Sequence, residues 1–317
     1  MIGLVGRLRG RTAAAAIAVL VTVGGLAGCG TKAPDVSGDA AGSSIRLSGA
    51  DGQKYLQDIS VYEWNDHGAA AGRSLAWIGG DALSKDAAVA SRAGQAAHAI
   101  AVYLAGSGRT LIDGESIGRR SPDLLRAYAA ALAPFQGALF GVGASDAFPS
   151  LVSTPGDYST VRTVFAVIDT DTQAGNDFTA RAYETADTYA KQFGAAFGKP
   201  AGGQHPALAM AAYLSGIAYG GARQSNNDDI ITRTAQQSLD HAAYSVATAL
   251  QPLPGPTDFS PEFFFRDGPL KPPDKVAGQD PKIRYSEQLQ IYLSHREGLG
   301  MLMNLFIGQF NHAAGFG

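Results

Sequence analysis

Apolar residues recur at helical spacing through most of the chain after residue 45, and this pattern limits the fold more than any other feature. The clearest run lies between Lys85 and Leu104, where apolar side chains repeat at i, i+3, i+4 and i+7: Val89, Ala93, Ala96, Ile100 and Tyr103. No alternation of apolar and polar residues persists beside hairpin turns, as a sheet would require. The sequence therefore predicts an all-α fold, an irregular multi-helix bundle.

Several helix boundaries can be predicted from local chemistry. Ser121, Pro122 and Asp123 form a typical helix start: a capping serine, a proline at the first position and an acid beside the positive end of the helix dipole. Pro134 should break the helix that follows. Residues 157–168 should form another helix, although the run Val164–Ile168 leaves a strand open. Further helices are expected over 177–197, 206–220, 226–250 and 285–309.

Residues 251–283 contain eight of the fifteen prolines, which excludes regular helix over most of this segment. The segment also carries Phe259, Phe263, Phe264 and Phe265. Two interpretations are open. These phenylalanines pack an irregular arm onto the helical body, or they form an exposed aromatic patch that recruits a partner or touches a bilayer.

The N-terminus has the organisation of a secretory signal. Arg7, Arg9 and Arg11 precede an apolar run from Ala13 to Leu26, and small residues follow. The run is about 14 residues long, whereas a membrane-spanning helix needs about 20. It is therefore predicted to be a cleaved signal peptide, residues 1–28.

The sequence Leu26-Ala27-Gly28-Cys29 resembles the lipobox of bacterial lipoproteins. The resemblance implies diacylglycerol on the Cys29 thiol, cleavage between Gly28 and Cys29, and an acylated, palmitate-type anchor on the extracytoplasmic face of the cell membrane. Two acyl chains give stable anchoring. Residues 29–44 are small and polar, as in a flexible tether, and residues 45–317 are expected to form a single helical domain.

Charge limits the partners. Removal of residues 1–28 takes away three arginines and no acids, which leaves 22 basic residues against 28 acidic ones and a formal net charge of −6. Nucleic-acid binding needs clustered lysines and arginines, so no nucleic-acid partner is expected. The lipid on Cys29 is the expected contact with the membrane.

Two stretches resemble a helical region of large secreted actinobacterial proteins described as "TPR repeat region-containing", some of which are linked to type VII secretion and toxins. They are residues 121–134 and residues 161–171, the latter followed by Phe178, Ala182 and Tyr183. The likeness covers residues 85–250, about half the chain. It implies an all-helical secreted module without catalytic residues. The 34-residue period of a true TPR array is not present.

One motif could carry catalysis. Gly114-Glu115-Ser116-Ile117-Gly118 matches G-x-S-x-G, which in hydrolases lifts a nucleophilic serine on a strand-to-helix turn, with a histidine later in the chain. Residues 110–112 could supply a short strand, and His205, His241 and His295 follow. However, no parallel-sheet pattern surrounds the motif, so Ser116 is expected to lie in a loop.

Metal and cofactor sites are not expected. Asp169-Thr170-Asp171 resembles the start of a calcium loop, but Ala174 and Ala180 stand where that loop needs glycine and glutamate. Asp171 is expected to cap the next helix instead. The six histidines form no close ligand pair.

These features lead to a functional hypothesis: a lipid-anchored, non-catalytic helical interaction or scaffold module. One alternative is an immunity or accessory factor that binds a related secreted toxin or an export partner, that is, another envelope or secreted protein. A less favoured alternative is a serine hydrolase that uses Ser116.

Overall fold

The computed structural model describes residues 32–197, 205–225, 227, 235–250, 270–276, 285, 289 and 299–316. All regular secondary structure within these ranges is helical, so the all-α prediction is confirmed. In chain order the helices are α1 (Ala40–Ser48), α2 (Gly52–Val61), α3 (Ala69–Arg73), α4 (Trp77–Asp81), α5 (Ala87–Gly106), α6 (Gly108–Ile112), α7 (Ile117–Arg120), α8 (Pro122–Leu132), α9 (Gln136–Leu139), α10 (Ser159–Ile168), α11 (Thr172–Ala196), α12 (Pro206–Gln224), α13 (Ala235–Ala249), α14 (Pro273–Val276) and α15 (Leu299–Ala314).

Helix α5 organises the N-terminal part of the bundle, because α1, α2, α4 and α8 all pack against it. It starts where the Asp86 carboxylate accepts hydrogen bonds from the amides of Ala88 and Val89. Four of the five predicted face residues are buried, and Val89, at the first turn, is half-buried. The helical period in the sequence therefore identified the packed face of this element.

Helix α12 has the corresponding role in the C-terminal part, where α10, α11, α13 and α15 pack around it. Small residues allow this crowding. A Cβ atom added to Gly216 would lie 2.4 Å from the carbonyl oxygen of Phe310, and one on Gly220 would lie 2.7 Å from that of Ala314. The backbones of α12 and α15 therefore approach each other more closely than a helix carrying larger side chains would permit.

The predicted tether is shorter than expected. Helix α1 already begins at Ala40, where the Asp39 carboxylate accepts a hydrogen bond of 2.9 Å from the amide of Gly42. Ser43 and Ser44 are buried on this helix, and Leu47 joins the core. The compact helical unit begins at Pro34. The prediction that residues 40–44 belong to a flexible linker was wrong, because an aspartate cap and a buried leucine convert a small polar segment into a helix.

The proline predictions were confirmed around α8, but the serine cap was not. The helix ends at Leu132, and a 3-10 turn, Ala133–Phe135, contains Pro134. Ser121 makes no capping hydrogen bond, since the amide of Asp123 donates to the carbonyl of His67 at 3.2 Å. The strand alternative for residues 157–168 was wrong. These residues include helix α10, whose apolar side chains are buried.

Several predicted features lie outside the described residues. These are the signal segment, the Gly28–Cys29 cleavage site and the phenylalanines at 259 and 263–265. Within the proline-rich segment, the described residues 270–276 include a buried Leu270 and the single-turn helix α14. The interpretation of the phenylalanine cluster, buried arm or exposed patch, stays a prediction.

Candidate binding cleft

A polar cleft of about 620 Å³ lies where three connections meet. The first runs from the end of α6 into α7, the second joins α10 to α11, and the third follows α12. Its lining comprises Ile112, Asp113, Gly114, Ser116, Arg119, Thr170, Asp171, Thr172, Ser225 and Asn227. Ile112 is the only apolar side chain larger than glycine in that set, so the cleft is suited to a polar occupant.

The first two connections are held together by close backbone packing. A Cβ atom added to Gly118 would lie 2.2 Å from the carbonyl oxygen of Thr170, so only glycine fits there. The Gly118 amide also donates to the Thr170 hydroxyl at 3.2 Å, and that hydroxyl donates to the carbonyl of Val167 at 2.7 Å. This contact fixes the loop that carries Ser116 against the start of α11.

The Asp171 carboxylate is fully engaged by its own structure. It accepts from the amide of Ala174 at 2.8 Å and from two guanidinium nitrogens of Arg126 at 3.1 and 3.3 Å. Arg126 in turn reaches Asp123 at 2.9 Å. The charge of Asp171 is therefore largely balanced by Arg126, as expected of a bidentate pair. The prediction that Asp171 caps the next helix is confirmed, and α11 begins at Thr172, five residues before the predicted start.

Asn227 closes the third side of the cleft. Its side-chain amide donates to the backbone carbonyl of Asp169 at 2.8 Å and contacts the Thr172 hydroxyl at 3.4 Å. Its backbone amide donates to the hydroxyl of Ser225 at 3.2 Å. These bonds connect the end of α12 to the start of α11, so the cleft has walls from segments more than 50 residues apart in the chain.

Ser116 lies on the wall of this cleft and is only 7% exposed. It occupies the position before α7, yet its hydroxyl makes no capping hydrogen bond. Among the described residues nothing else pairs with that hydroxyl. The residue as a whole is buried, but its hydroxyl oxygen is not enclosed. Ser116 therefore presents to the cleft a polar group that has no partner among the described residues, where a bound molecule could reach it.

The surroundings of Ser116 do not have the form that a hydrolase needs. The residues before the motif form helix α6, so residues 110–112 do not supply the strand that the hydrolase alternative would require. The described histidines 67, 98, 205, 241 and 312 make no hydrogen bond to Ser116. Four of them contact aromatic rings elsewhere: His98 on Phe148, His205 on Phe193, His241 on Tyr183 and His312 on Tyr158. The loop expected for Ser116 matches its observed position between α6 and α7.

Asp169, the first residue of the rejected calcium motif, is completely buried. Neither carboxylate oxygen has a hydrogen-bond partner. Burial alone raises the pKa of this carboxyl well above its ordinary value, so Asp169 favours the neutral, protonated form. Within the described part of the chain, no group of three or more acidic, histidine or cysteine side chains could hold a metal ion.

Sequence reasoning missed most of the cleft. Asp113, Arg119, Thr172 and Ser225 carried no motif, and Asn227 lay at the start of the helix predicted over 226–250. Two local signals pointed here: the glycine pair around Ser116 and the run Asp169-Thr170-Asp171. The glycine pair was considered as a catalytic motif, whereas Gly118 serves the close approach to Thr170.

Comparisons with known proteins add no further identification: no protein-family model, curated protein or solved structure matches this chain. Among the described helices, none combines the length and the apolar character required to cross a bilayer.

Proposed function

We propose that this protein is a lipid-anchored, extracytoplasmic binding module, and that the cleft beside Ser116 receives its ligand without catalysing a reaction. The polar lining of the cleft, which includes a Ser116 hydroxyl without a partner among the described residues, is the observation that supports this most directly. A ligand that binds the folded cleft should raise the stability of the protein, because it binds the folded state and not the unfolded chain.

The anchor in this proposal comes from the N-terminal sequence. The signal segment ends at Cys29, the only cysteine in the chain. Two acyl chains on that residue would hold the helical unit at the membrane surface, and residues 30–33 precede the start of that unit at Pro34. The cleft would then act close to the membrane.

A second candidate is an accessory or immunity factor that binds a related secreted protein. It is favoured by one specific overlap. Every cleft residue, from Ile112 to Asn227, lies within residues 85–250, which carry the resemblance to secreted actinobacterial modules. In this case the cleft would receive an exposed polar segment of the partner rather than a free small molecule.

The proposal can be tested with full-length lipoprotein purified in detergent. Thermal unfolding is measured with a panel of amino acids, sugars, carboxylates and inorganic phosphate. We expect at least one compound to raise the unfolding temperature of the wild type. We expect no such rise for Thr172→Trp, which fills the cleft, and an unchanged rise for Thr188→Trp, which makes the same substitution on an exposed position further along α11.

Two results would overturn the proposal. In the first, no compound in the panel and no purified secreted partner binds in a way that depends on Thr172. In the second, the protein hydrolyses ester or peptide substrates and loses that activity on Ser116→Ala, which would restore the hydrolase alternative.

A further inference from the structure

We infer that the cleft recognises a small zwitterion, a free amino acid or a short peptide with both termini unblocked. This inference rests on the proposed binding function and adds the chemical class of the ligand. It is carried by two opposite charges and one serine hydroxyl that line the cleft and, among the described residues, do not pair with one another.

Asp113 and Arg119 are the uncompensated charges. Both side chains line the cleft and both are exposed. Within the described part of the chain, neither forms an ion pair with the other or with any other residue. The third charge of the lining, Asp171, is already balanced by Arg126. Among its described residues, the cleft therefore offers one carboxylate and one guanidinium that have no ion-pair partner.

Ser116 lies between these charges in the chain. The amide of Arg119 donates to the carbonyl of Ser116 at 3.0 Å, so the two residues are one helical turn apart at the start of α7. Asp113 is three residues before Ser116, on the loop that leaves α6. A ligand carboxylate can thus meet the Arg119 guanidinium and the Ser116 hydroxyl, while a ligand ammonium meets Asp113.

Other small ligands fit this arrangement less well. An inorganic phosphate or a dicarboxylate would gain an ion pair with Arg119, but its negative charge would lie beside the carboxylates of Asp113 and Asp171, which would repel it. A simple cation would be repelled by Arg119. A pyranose sugar is usually held against an aromatic ring, and the described residues of the lining include none. A zwitterion satisfies both available charges, and the volume of about 620 Å³ accommodates an amino acid or a short peptide.

The test is isothermal titration of the full-length protein in detergent with L-alanine and tri-L-alanine. The blocked forms N-acetyl-alanine and alaninamide each lack one charge, and inorganic phosphate and glucose represent the excluded classes. Because each charge-assisted contact is worth about a factor of ten or more in affinity, both blocked forms should bind at least about ten-fold more weakly than the matching zwitterion. Whichever of L-alanine and tri-L-alanine binds with the higher affinity indicates whether the site takes free amino acids or short peptides.

Variants assign the contacts. Arg119→Gln and Asp113→Asn should each weaken zwitterion binding by about ten-fold or more. Ser116→Ala should weaken it by a smaller factor. The controls Arg73→Gln and Asp146→Asn make the same charge changes at exposed positions outside the cleft and should leave binding unchanged.

The zwitterion inference would be overturned by blocked forms that bind as well as unblocked ones, or by wild-type affinity in both Arg119→Gln and Asp113→Asn. It would also be overturned if phosphate or glucose bound to the wild type and not to Thr172→Trp, while neither L-alanine nor tri-L-alanine bound to the wild type. That last result would leave the proposed binding function standing. The zwitterion inference and the proposed binding function would both be overturned only if no compound in the wider panel bound in a way that depends on Thr172.

Discussion

At the scale of single residues, this protein keeps polar groups buried without partners. The Asp169 carboxyl and the Ser121 hydroxyl are buried and have no partner among the described residues. Such groups each lower stability, and proteins usually satisfy them. The Ser116 hydroxyl differs from these two because it is open to the cleft, where a ligand can bind it. No ligand can reach Asp169, and the cost of burying its carboxyl should be visible as a dependence of stability on pH.

Asp169→Asn should make the protein more stable at pH 7 by about 1 kcal/mol or more, because the variant does not have to bury a group that is ionised in the unfolded chain. The sign follows from the raised pKa of the folded-state carboxyl. The contribution of protonated Asp169 to the free energy of unfolding is complete below about pH 3.9, the ordinary pKa of an aspartate in the unfolded chain. This contribution is lost as the pH rises through the higher pKa of Asp169 in the folded protein. Urea unfolding at pH 7, 6 and 5 measures the effect.

In that series the wild type should gain stability relative to Asp169→Asn as the pH falls. Asp146→Asn, on an exposed loop, serves as the control and should follow the wild type. Parallel pH profiles for wild type and Asp169→Asn would show that Asp169 is not buried as described.

At the scale of elements, small residues determine how closely the helices pack. Gly216 and Gly220 allow α12 to lie against α15, and Gly118 allows α7 to lie against the turn before α11. The sequence shows all three glycines, but 40 glycines occur in the chain, and helical period alone does not distinguish those at a crossing from those facing solvent. The neighbouring backbone makes that distinction.

A pair of identical substitutions tests this. Gly216→Ala should destabilise the protein by about 1–3 kcal/mol, because the added Cβ meets the Phe310 carbonyl and the helices must separate. Gly308→Ala, in α15, has open space at the same atom and should stabilise by up to about 1 kcal/mol through helix propensity. Urea midpoints of the two variants should therefore move in opposite directions. A shift of the same sign and size in both would refute the close packing of α12 on α15.

Gly118→Ala should act on the cleft as well as on stability. The added methyl group would collide with the backbone at Thr170 and displace the loop that carries Ser116. We expect a loss of about 1–3 kcal/mol in stability and a loss of zwitterion binding. Gly114→Ala is the control substitution, because no atom lies within 4 Å of the position that its added Cβ would take. The positive φ of Gly114, 69°, adds some backbone strain to this control. Unfolding and titration of both variants give the comparison. Unchanged binding in Gly118→Ala would contradict the role of this contact.

At the scale of the whole molecule, the proposed location and the proposed binding depend on separate parts of the chain. The proposed anchor depends on Cys29, and the cleft depends on helices α6 to α12. The formal net charge of −6, which the chain would have without the predicted signal, gives no electrostatic reason for membrane attachment. The lipid should therefore carry the attachment alone, and loss of the lipid should leave the cleft intact.

Cys29→Ala should move the protein from the membrane fraction to the soluble extracytoplasmic or culture fraction and abolish its labelling with palmitate. Thr31→Ala, two residues away, should remain membrane-bound and labelled. The released variant should bind zwitterions with wild-type affinity. Retention of Cys29→Ala on membranes after a high-salt wash would mean that another contact exists, and the phenylalanines at 259 and 263–265 would be the first residues to substitute.

The sequence by itself determined the features that depend on near neighbours in the chain. The helical class, the buried face of α5, the break at Pro134 and the cap at Asp171 all follow from side chains within a few residues of one another. The predicted domain boundary at residue 45 was wrong, because helix α1 begins at Ala40 and Leu47 packs into the core. The predicted cap at Ser121 was wrong, because the amide of Asp123 donates to the carbonyl of His67 instead.

The cleft was decided only by the tertiary structure. Its described walls come from residues 112–119, residues 170–172, Ser225 and Asn227. These segments meet because Gly118 packs on Thr170 and the Asn227 side chain donates to the backbone carbonyl of Asp169. Such contacts depend on how whole helices pack, and a local pattern carries no information on that. The sequence therefore drew attention to Ser116, and the packing of distant helices gave it an environment suited to binding.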